Sequence, residues 1–309
     1  MSTYLVTGGA GFIGSHLCEA LLARGDSVRV LDDLSTGFRG NVPRGVPLIV
    51  GDIADPDTMS EAVAGVDGCF HLAAIASVER GVTDWLGTHR TNQTGTITLF
   101  DAIRRAGTRI PVVYASSAAV YGDCQAVPIA EDADRAPLSA YGADKYACEL
   151  HARVASRGHG IPTTGLRFFN VYGPRQDPKS PYSGVISIFC ERIARGMPVT
   201  IFGDGEQTRD FVYVTDVAAA LLAAMRSPSL DSTVYNVCTG IPASVNDLAR
   251  TIAELAGTHL AVIHQPARSG EIRHSLGQAS KARAAFGLGD PVGLRDGLGA
   301  VLTWLAAPG

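Results

Sequence analysis

Tyr141-Gly-Ala-Asp-Lys145 places a phenol and an ammonium four residues apart, one turn along the same face of any helix that holds them. The chain has nine tyrosines and only three lysines, at 145, 179 and 281, against 23 arginines. In 309 positions chance supplies about 0.1 such pairs, so the spacing invites a chemical reason. A neighbouring cation stabilises a phenolate, and a phenol so placed can act as general base toward an alcohol. That is the proton-removing half of an alcohol oxidation. Ser117 lies just past an apolar segment at 111–115, where its hydroxyl could bind the reacting oxygen and relay its proton. Taken alone, the pair also reads as an exposed Tyr/Lys contact with no chemistry.

A second constellation weighs against that plainer reading. Thr7-Gly-Gly-Ala-Gly-Phe-Ile-Gly14 sets Gly8, Gly11 and Gly14 between a short apolar strand at 4–7 and an amphipathic helix at 11–24. Glycines permit a tight turn and close backbone approach, and a helix N-terminus offers free N–H groups to a pyrophosphate. The spacing is GxxGxxG, weak by itself. Asp32, ending the next strand 24 residues after Gly8, strengthens it. A carboxylate there accepts from ribose hydroxyls and repels a 2′-phosphate, which favours NAD over NADP.

These residues need a scaffold. Apolar strands at 4–7, 27–32, 47–50, 68–72 and 111–115 alternate with helices at 11–24 and 85–105, and a helix at 141–157 precedes a strand at 163–168. That pattern predicts an α/β protein whose parallel sheet is covered on both faces. After Asn170 the segments 171–183 and 196–209 are punctuated by Gly and Pro and read as loops. A helix at 214–225 and a strand at 233–237 return the chain to the sheet. We expect a dinucleotide-binding domain of residues 1–169 plus 212–238, interleaved with a smaller C-terminal substrate domain of residues 170–211 plus 239–309.

Composition narrows the partners. With 26 basic against 30 acidic side chains, the net charge of −4 argues against a nucleic-acid or anionic-membrane partner. No apolar run approaches about 20 residues, so no bilayer-spanning helix is expected. No leader-like segment precedes the first strand, which suggests a cytoplasmic protein. The six cysteines, always 24 or more residues apart, form no CxxC pair, and HExxH is absent. We therefore expect no metal site, and cysteines that serve as small buried hydrophobes.

The motifs TGGAGFIG at 7–14, GDI at 51–53, HLAA at 71–74, SSAAVYG at 116–122 and YGADK at 141–145 resemble the extended short-chain dehydrogenase/reductase superfamily. RFFNVYGPRQ at 167–176 and FGDGEQTRDFVYVTDV at 202–217 are similar to its nucleotide-sugar 4-epimerases, and the similarity runs from Tyr4 to about Leu288. The resemblance implies a Rossmann-type doubly wound sheet holding NAD tightly, a smaller α/β domain gripping a UDP-sugar, and a homodimer formed through helices 85–105 and 141–157. It implies Ser117, Tyr141 and Lys145 as the catalytic residues. For the cofactor it implies Gly8, Gly11, Phe12, Ile13, Gly14, Asp32, Asp33, Asp52, Ile53, Leu72, Ala73, Ala74, Asn92, Tyr141, Lys145 and Phe169. For the substrate it implies Ser117, Tyr141, Asn170, Val185, Thr200, Phe202, Arg209, Arg268 and Ser275, with Asn170, Arg209 and Arg268 on the diphosphate and Phe202 near uracil. The competing readings are a turn residue at Asn170, surface ion-pair partners at Arg209 and Arg268, plain core at Phe202 and a loop start at Ser275. His71, in an apolar strand, reads as structural.

Within the superfamily, sugar 4,6-dehydratases carry an Asp-Glu pair after the active-site Ser or Thr, and UDP-glucuronate decarboxylases a Glu at the second position. Here those positions are Ala118 and Ala119. A methyl group moves no proton, which leaves oxidation at C4, rotation of the keto-sugar and return of hydride to the other face: a 4-epimerase. Family members restricted to UDP-glucose and UDP-galactose place a bulky tyrosine where Ser275 aligns, and those that accept N-acetylated sugars place a small residue. The resemblance therefore implies activity on UDP-glucose and UDP-N-acetylglucosamine. The alternatives are a UDP-glucuronate 4-epimerase, with Arg80 or Arg175 receiving the carboxylate, a product-releasing dehydrogenase or reductase, and a dinucleotide sensor without chemistry.

Overall fold

The computed structural model describes residues 1–177, 184–267 and 272–307. Strand β1 (Thr3–Thr7) leads into helix α1 (Phe12–Ala23), followed by β2 (Ser27–Asp32), β3 (Leu48–Val50), α2 (Pro56–Val63) and β4 (Gly68–His71). Helices α3 (Val78–Thr83), α4 (Trp85–His89) and α5 (Gly95–Arg105) precede β5 (Val112–Ser117), α6 (Ala140–His159) and β6 (Thr163–Phe168). The chain continues through β7 (Asn170–Tyr172), α7 (Val185–Ala194), β8 (Val199–Phe202), β9 (Thr208–Tyr213), α8 (Val214–Met225) and β10 (Val234–Val237). It ends with β11 (Pro242–Ser244), α9 (Val245–Ala256), β12 (Val262–Gln265), β13 (His274–Ser275), α10 (Ser280–Phe286) and α11 (Leu294–Ala306).

Seven strands form one parallel sheet in the order β3-β2-β1-β4-β5-β6-β10. The two-residue period of each strand explains why both faces are covered. Leu5 packs with Met59 of α2 and Leu99 and Ile103 of α5, whereas Val6 packs with Leu17 and Leu21 of α1 and Val217 and Leu221 of α8. Strand order reverses between β1 and β4, and a doubly wound sheet opens its ligand crevice beyond the carboxyl ends at such a point. The expected fold class is the observed one. Among the described residues no helix is long and apolar enough to cross a membrane.

Three local expectations need correction. The helix expected over 85–105 is interrupted by a π-helical turn at Arg90–Thr94, and α3 lies ahead of it. The turn carries the buried Asn92, whose amide accepts from Ile75 N (2.8 Å) and donates to Ile75 O (3.1 Å). The segment read as loop from 171 contains the end of β7, and that at 196–209 contains β8 and the start of β9; residues 178–183 lie outside the described ones. These strands are short and flanked by Gly and Pro, so pairing rather than composition defines them: β7 and β13 run parallel to β9, β11 antiparallel to it, and β8 pairs β12. Of the cysteines, four are buried and Cys124 and Cys238 only half-buried.

A third core gathers Tyr172, Ile201 and Phe211 with residues of α7, α9 and α11. Strand β9 alternates between cores, with Phe211 in this one and Val212 in that of α1 and α8. Beside them Asp210, fully buried, accepts from Thr239 N and Oγ1 (both 2.7 Å), Gly240 N (2.9 Å) and Gly277 N (3.3 Å). One carboxylate thus ties β9 to the loops after β10 and β13. Asp210→Ala strands these buried donors and should lower the unfolding free energy by about 3 kcal/mol, measured by urea denaturation.

Candidate active site

A cleft of about 780 Å³ runs along the carboxyl edge of the sheet, from Asp32 and Asp33 at the end of β2 to Ser117 at the end of β5. That lies in the upper part of the usual range for ligand clefts, about 300–1,000 Å³. Its middle is the turn between β1 and α1. Gly8 adopts a left-handed φ of +73°, and a Cβ on Gly14 would run into the Gly8 carbonyl and approach Gly9 Cα at 2.8 Å, so the turn closes only without side chains. Among the described residues no side chain caps α1, and no acidic residue occupies its first turn. Its N–H groups are therefore left for an anion.

Asp32, 6% exposed, accepts from Ala10 N (2.9 Å) and Leu34 N (2.9 Å), which fixes its carboxylate at the rim of that turn. Burial raises its pKa, and the two backbone N–H groups oppose the rise. Glycine cradle, free helix terminus and carboxylate together fit a dinucleotide with an unphosphorylated adenosine ribose.

At the far end, Tyr141 and Lys145 project from the first turns of α6, whose N-cap Ser139 accepts from Gly142 N (3.1 Å). A Cβ on Gly142 would lie 2.6 Å from the Ala119 carbonyl, so glycine lets this turn lie against the one that follows Ser117. Lys145 is 5% exposed; its Nζ donates to Ala115 O (2.8 Å) and stands 5.9 Å from the Tyr141 ring centroid. Ser117 Oγ accepts from Ala119 N (3.1 Å) as N-cap of the short turn Ala118–Tyr121. Phenol, ammonium and hydroxyl thus share one wall of the cleft.

Fifteen of the expected residues line this cleft: Gly8, Gly11, Phe12, Ile13, Gly14, Asp32, Asp33, Ile53, Leu72, Ala73, Ala74, Ser117, Tyr141, Lys145 and Phe169. Two expected cofactor contacts do not. Asp52 turns to Arg90 (2.5 Å) and Ala54 N (2.8 Å), and Asn92 holds Ile75 from behind. Asn170, Val185, Thr200, Phe202, Arg209 and Ser275 also lie off the cleft wall. Asn170 begins β7, and Phe202 is half-buried on the face of β8 opposite the core residues Val199 and Ile201. Ser275 belongs to β13, directly across from Arg209, whose Nη1 donates to Thr208 O (2.9 Å). Arg268 lies outside the described residues. Arg175 lines the cleft but directs its Nη2 to both Glu19 oxygens (2.6 Å each), so its charge is already matched; among the described residues no carboxylate pairs with Arg80.

The sequence reading missed Ser35, Thr36, Phe38 and Asn41, which follow Asp33 along the cleft. Phe38 N and Asn41 Nδ2 both donate to Ala10 O (3.0 Å), tying this loop to the glycine turn. The signal was their position directly after the strand-ending acids.

Residues 4–238 match the model of the NAD dependent epimerase/dehydratase family. The chain belongs to that family. Membership makes NAD its cofactor, in agreement with the cradle. It is 37% identical to a putative UDP-glucose 4-epimerase of Methanocaldococcus jannaschii over 303 residues, 97% of each chain. A UDP-glucose 4-epimerase of Thermus thermophilus, solved in complex with NAD, superposes with a TM-score of 0.92 at 38% identity, covering 99% of this chain and 100% of that one. A UDP-N-acetylglucosamine 4-epimerase of Methanobrevibacter ruminantium, solved with UDP-N-acetylmuramic acid, gives 0.93 at 34% identity and 98% coverage of both.

His71 ends β4 behind this site. Its Nδ1 lies 2.8 Å from Thr7 Oγ1, which itself accepts from Leu72 N and Ala73 N, and its Nε2 lies 3.0 Å from Thr96 Oγ1, which donates to Asn92 O (2.7 Å). The chain of donors is satisfied by a neutral ring protonated on Nε2. Burial, and then the nearby Lys145 charge, lower the His71 pKa to about 3. Unfolded histidine takes its proton near pH 6.5, so the folded state loses stability as pH falls from about 6.5 toward 3. Between pH 7 and 5 this residue should contribute a loss of about 2 kcal/mol. Urea unfolding at both pH values should show that loss in the native protein and not in His71→Gln.

Proposed function

We propose that the protein interconverts the C4 epimers of a UDP-hexose: UDP-glucose with UDP-galactose, and UDP-N-acetylglucosamine with UDP-N-acetylgalactosamine. The observation that carries the reading is the far end of the cleft, where Ser117, Tyr141 and Lys145 meet while the two positions directly after Ser117 carry only the methyl groups of Ala118 and Ala119. Bound NAD supplies a hydride acceptor that can also return the hydride. Gly8, Gly11, Gly14 and the α1 N-terminus hold its pyrophosphate, and Asp32 its adenosine ribose. Ser117 donates to the sugar oxygen at C4, and Tyr141 takes the proton from that hydroxyl. The buried Lys145 ammonium stabilises the phenolate form in which Tyr141 accepts that proton. No side chain of the 118–119 turn can expel water or carry a carboxyl group through elimination, so the 4-keto sugar turns over and is reduced again.

Asn170, Arg209 and Arg268 take the non-transferred diphosphate, for which an arginine fork is suited, with Phe202 beside the uracil and Val185 and Thr200 flanking it. We assign residues 1–169 plus 212–238 to the cofactor and residues 170–211 plus 239–309 to the nucleotide-sugar. The exposed Ile97, Leu150 and Val154 on α5 and α6 suit a homodimer through these helices. A UDP-glucuronate 4-epimerase is the second reading, favoured by Arg80 as a cleft cation without an acidic partner among the described residues.

Incubation with UDP-glucose, UDP-N-acetylglucosamine and UDP-glucuronate, with products identified by NMR, decides among them. Tyr141→Phe should slow epimerisation by about 10²–10⁴-fold while the purified variant still carries NAD through gel filtration. Near-native turnover would remove Tyr141 from the role of base. Ser275→Tyr should cut turnover of UDP-N-acetylglucosamine about 10- to 100-fold and spare UDP-glucose, because the ring takes the volume of the acetamido group. Equal loss of both activities, or of neither, would show that Ser275 does not gate the sugar.

A further inference from the structure

Behind the catalytic wall lies a buried ion pair that the chemistry above does not use. Register places Ser116 on β5 opposite Arg167 on β6, and both grasp Glu149, which sits one helical turn beyond Lys145 and two beyond Tyr141 on α6. Ser116 Oγ donates to Glu149 Oε1 (2.6 Å), Arg167 Nε to the same oxygen (2.8 Å) and Arg167 Nη2 to Oε2 (2.7 Å). The Arg167 and Glu149 side chains are 4% and 6% exposed. Arg167 Nη1 continues to Tyr121 OH (2.7 Å) and Glu131 O (2.8 Å), and Tyr121 OH donates to Asn236 Oδ1 (2.7 Å). Ser117 is therefore straddled: the residue before it and the tyrosine closing its turn both hydrogen-bond to one ion pair. A buried pair of this kind is weak evidence for stability, since apolar replacements of the same volume are often neutral or better.

We propose that the Glu149–Arg167 pair is a positioning unit, which locks the Ser117 turn of β5 against the Tyr141 face of α6. It rests on the reading of Ser117 and Tyr141 as the catalytic groups. The pair acts through its neighbours: Glu149 sets the height of α6 along β5, and Arg167 carries the same restraint to the far side of the turn. Displacing such groups by about 1 Å costs on the order of 100-fold in rate.

Ser116→Ala and Tyr121→Phe each delete one hydrogen bond between the pair and the turn and leave the pair itself intact. In each variant, mixing with the UDP-sugar that reduces the native enzyme's cofactor should form bound NADH about 10- to 100-fold more slowly, with KM changed less than about threefold. Amide exchange at Ala119 and Gly122 should accelerate while the affinity for UDP holds, and the Tm should fall by no more than a few degrees, in Tyr121→Phe because Asn236 Oδ1 loses its donor. Native rates and native exchange in both folded variants would overturn the proposal, as would rate losses that merely follow the folded fraction. Cofactor reduction rather than epimer formation is read, so a native protein that reduces NAD with a UDP-sugar yet yields no 4-epimer overturns the proposed function and leaves this test standing.

Discussion

A lysine ammonium almost sealed from water and resting on a backbone carbonyl is the constraint around which the site is organised. Taking Lys145 out of water is costly, and the Ala115 carbonyl offsets only part of that cost. Among the described residues no carboxylate forms an ion pair with it, so its charge is left for whatever enters the cleft. The arrangement needs α6 to lie directly on the end of β5. That in turn needs a glycine at 142 and a sheet apolar enough on both faces to anchor the helix. The same logic explains His71. A second cation beside Lys145 would repel it, and a ring kept neutral by burial and by Thr7 and Thr96 links β1, β4 and the π turn without adding charge.

The cofactor half was legible because its signals are local. A glycine-rich turn between a strand and a helix, an acid at the next strand end, and a Tyr/Lys pair one turn apart each declare their geometry within a few residues. Gly8, Gly11, Gly14 and Asp32 accordingly line the cleft with Tyr141 and Lys145. The other half is built from strands too short to show a period. β7, β8 and β13 have three, four and two residues, and only their pairing with β9 or β12 identifies them. Residue-by-residue resemblance placed Thr200, Phe202, Arg209 and Ser275 there, but composition alone had nothing to say about which way they face.

The interruption at Arg90–Thr94 was illegible for a different reason. It holds no Gly or Pro, so the 85–105 pattern reads as unbroken there, and the bulge is set by a tertiary demand, Asn92 reaching the backbone of Ile75. The Glu149–Arg167 pair was hidden likewise. Both residues stand in segments whose periodicity was clear, yet only the β5–β6 register brings an arginine from one strand and a serine from its neighbour onto one helix carboxylate.

Strand β9, whose successive residues enter different cores, has a bearing on how this chain can be altered as a whole. A strand common to two packed interiors cannot be assigned to either half without opening the other, and Asp210 fastens it to both later loops. The portion built around the third core is therefore not a cassette. Exchanging it with that of a relative would mean transplanting one face of a strand, so changes in sugar preference are most readily reached by replacing single side chains on a retained backbone.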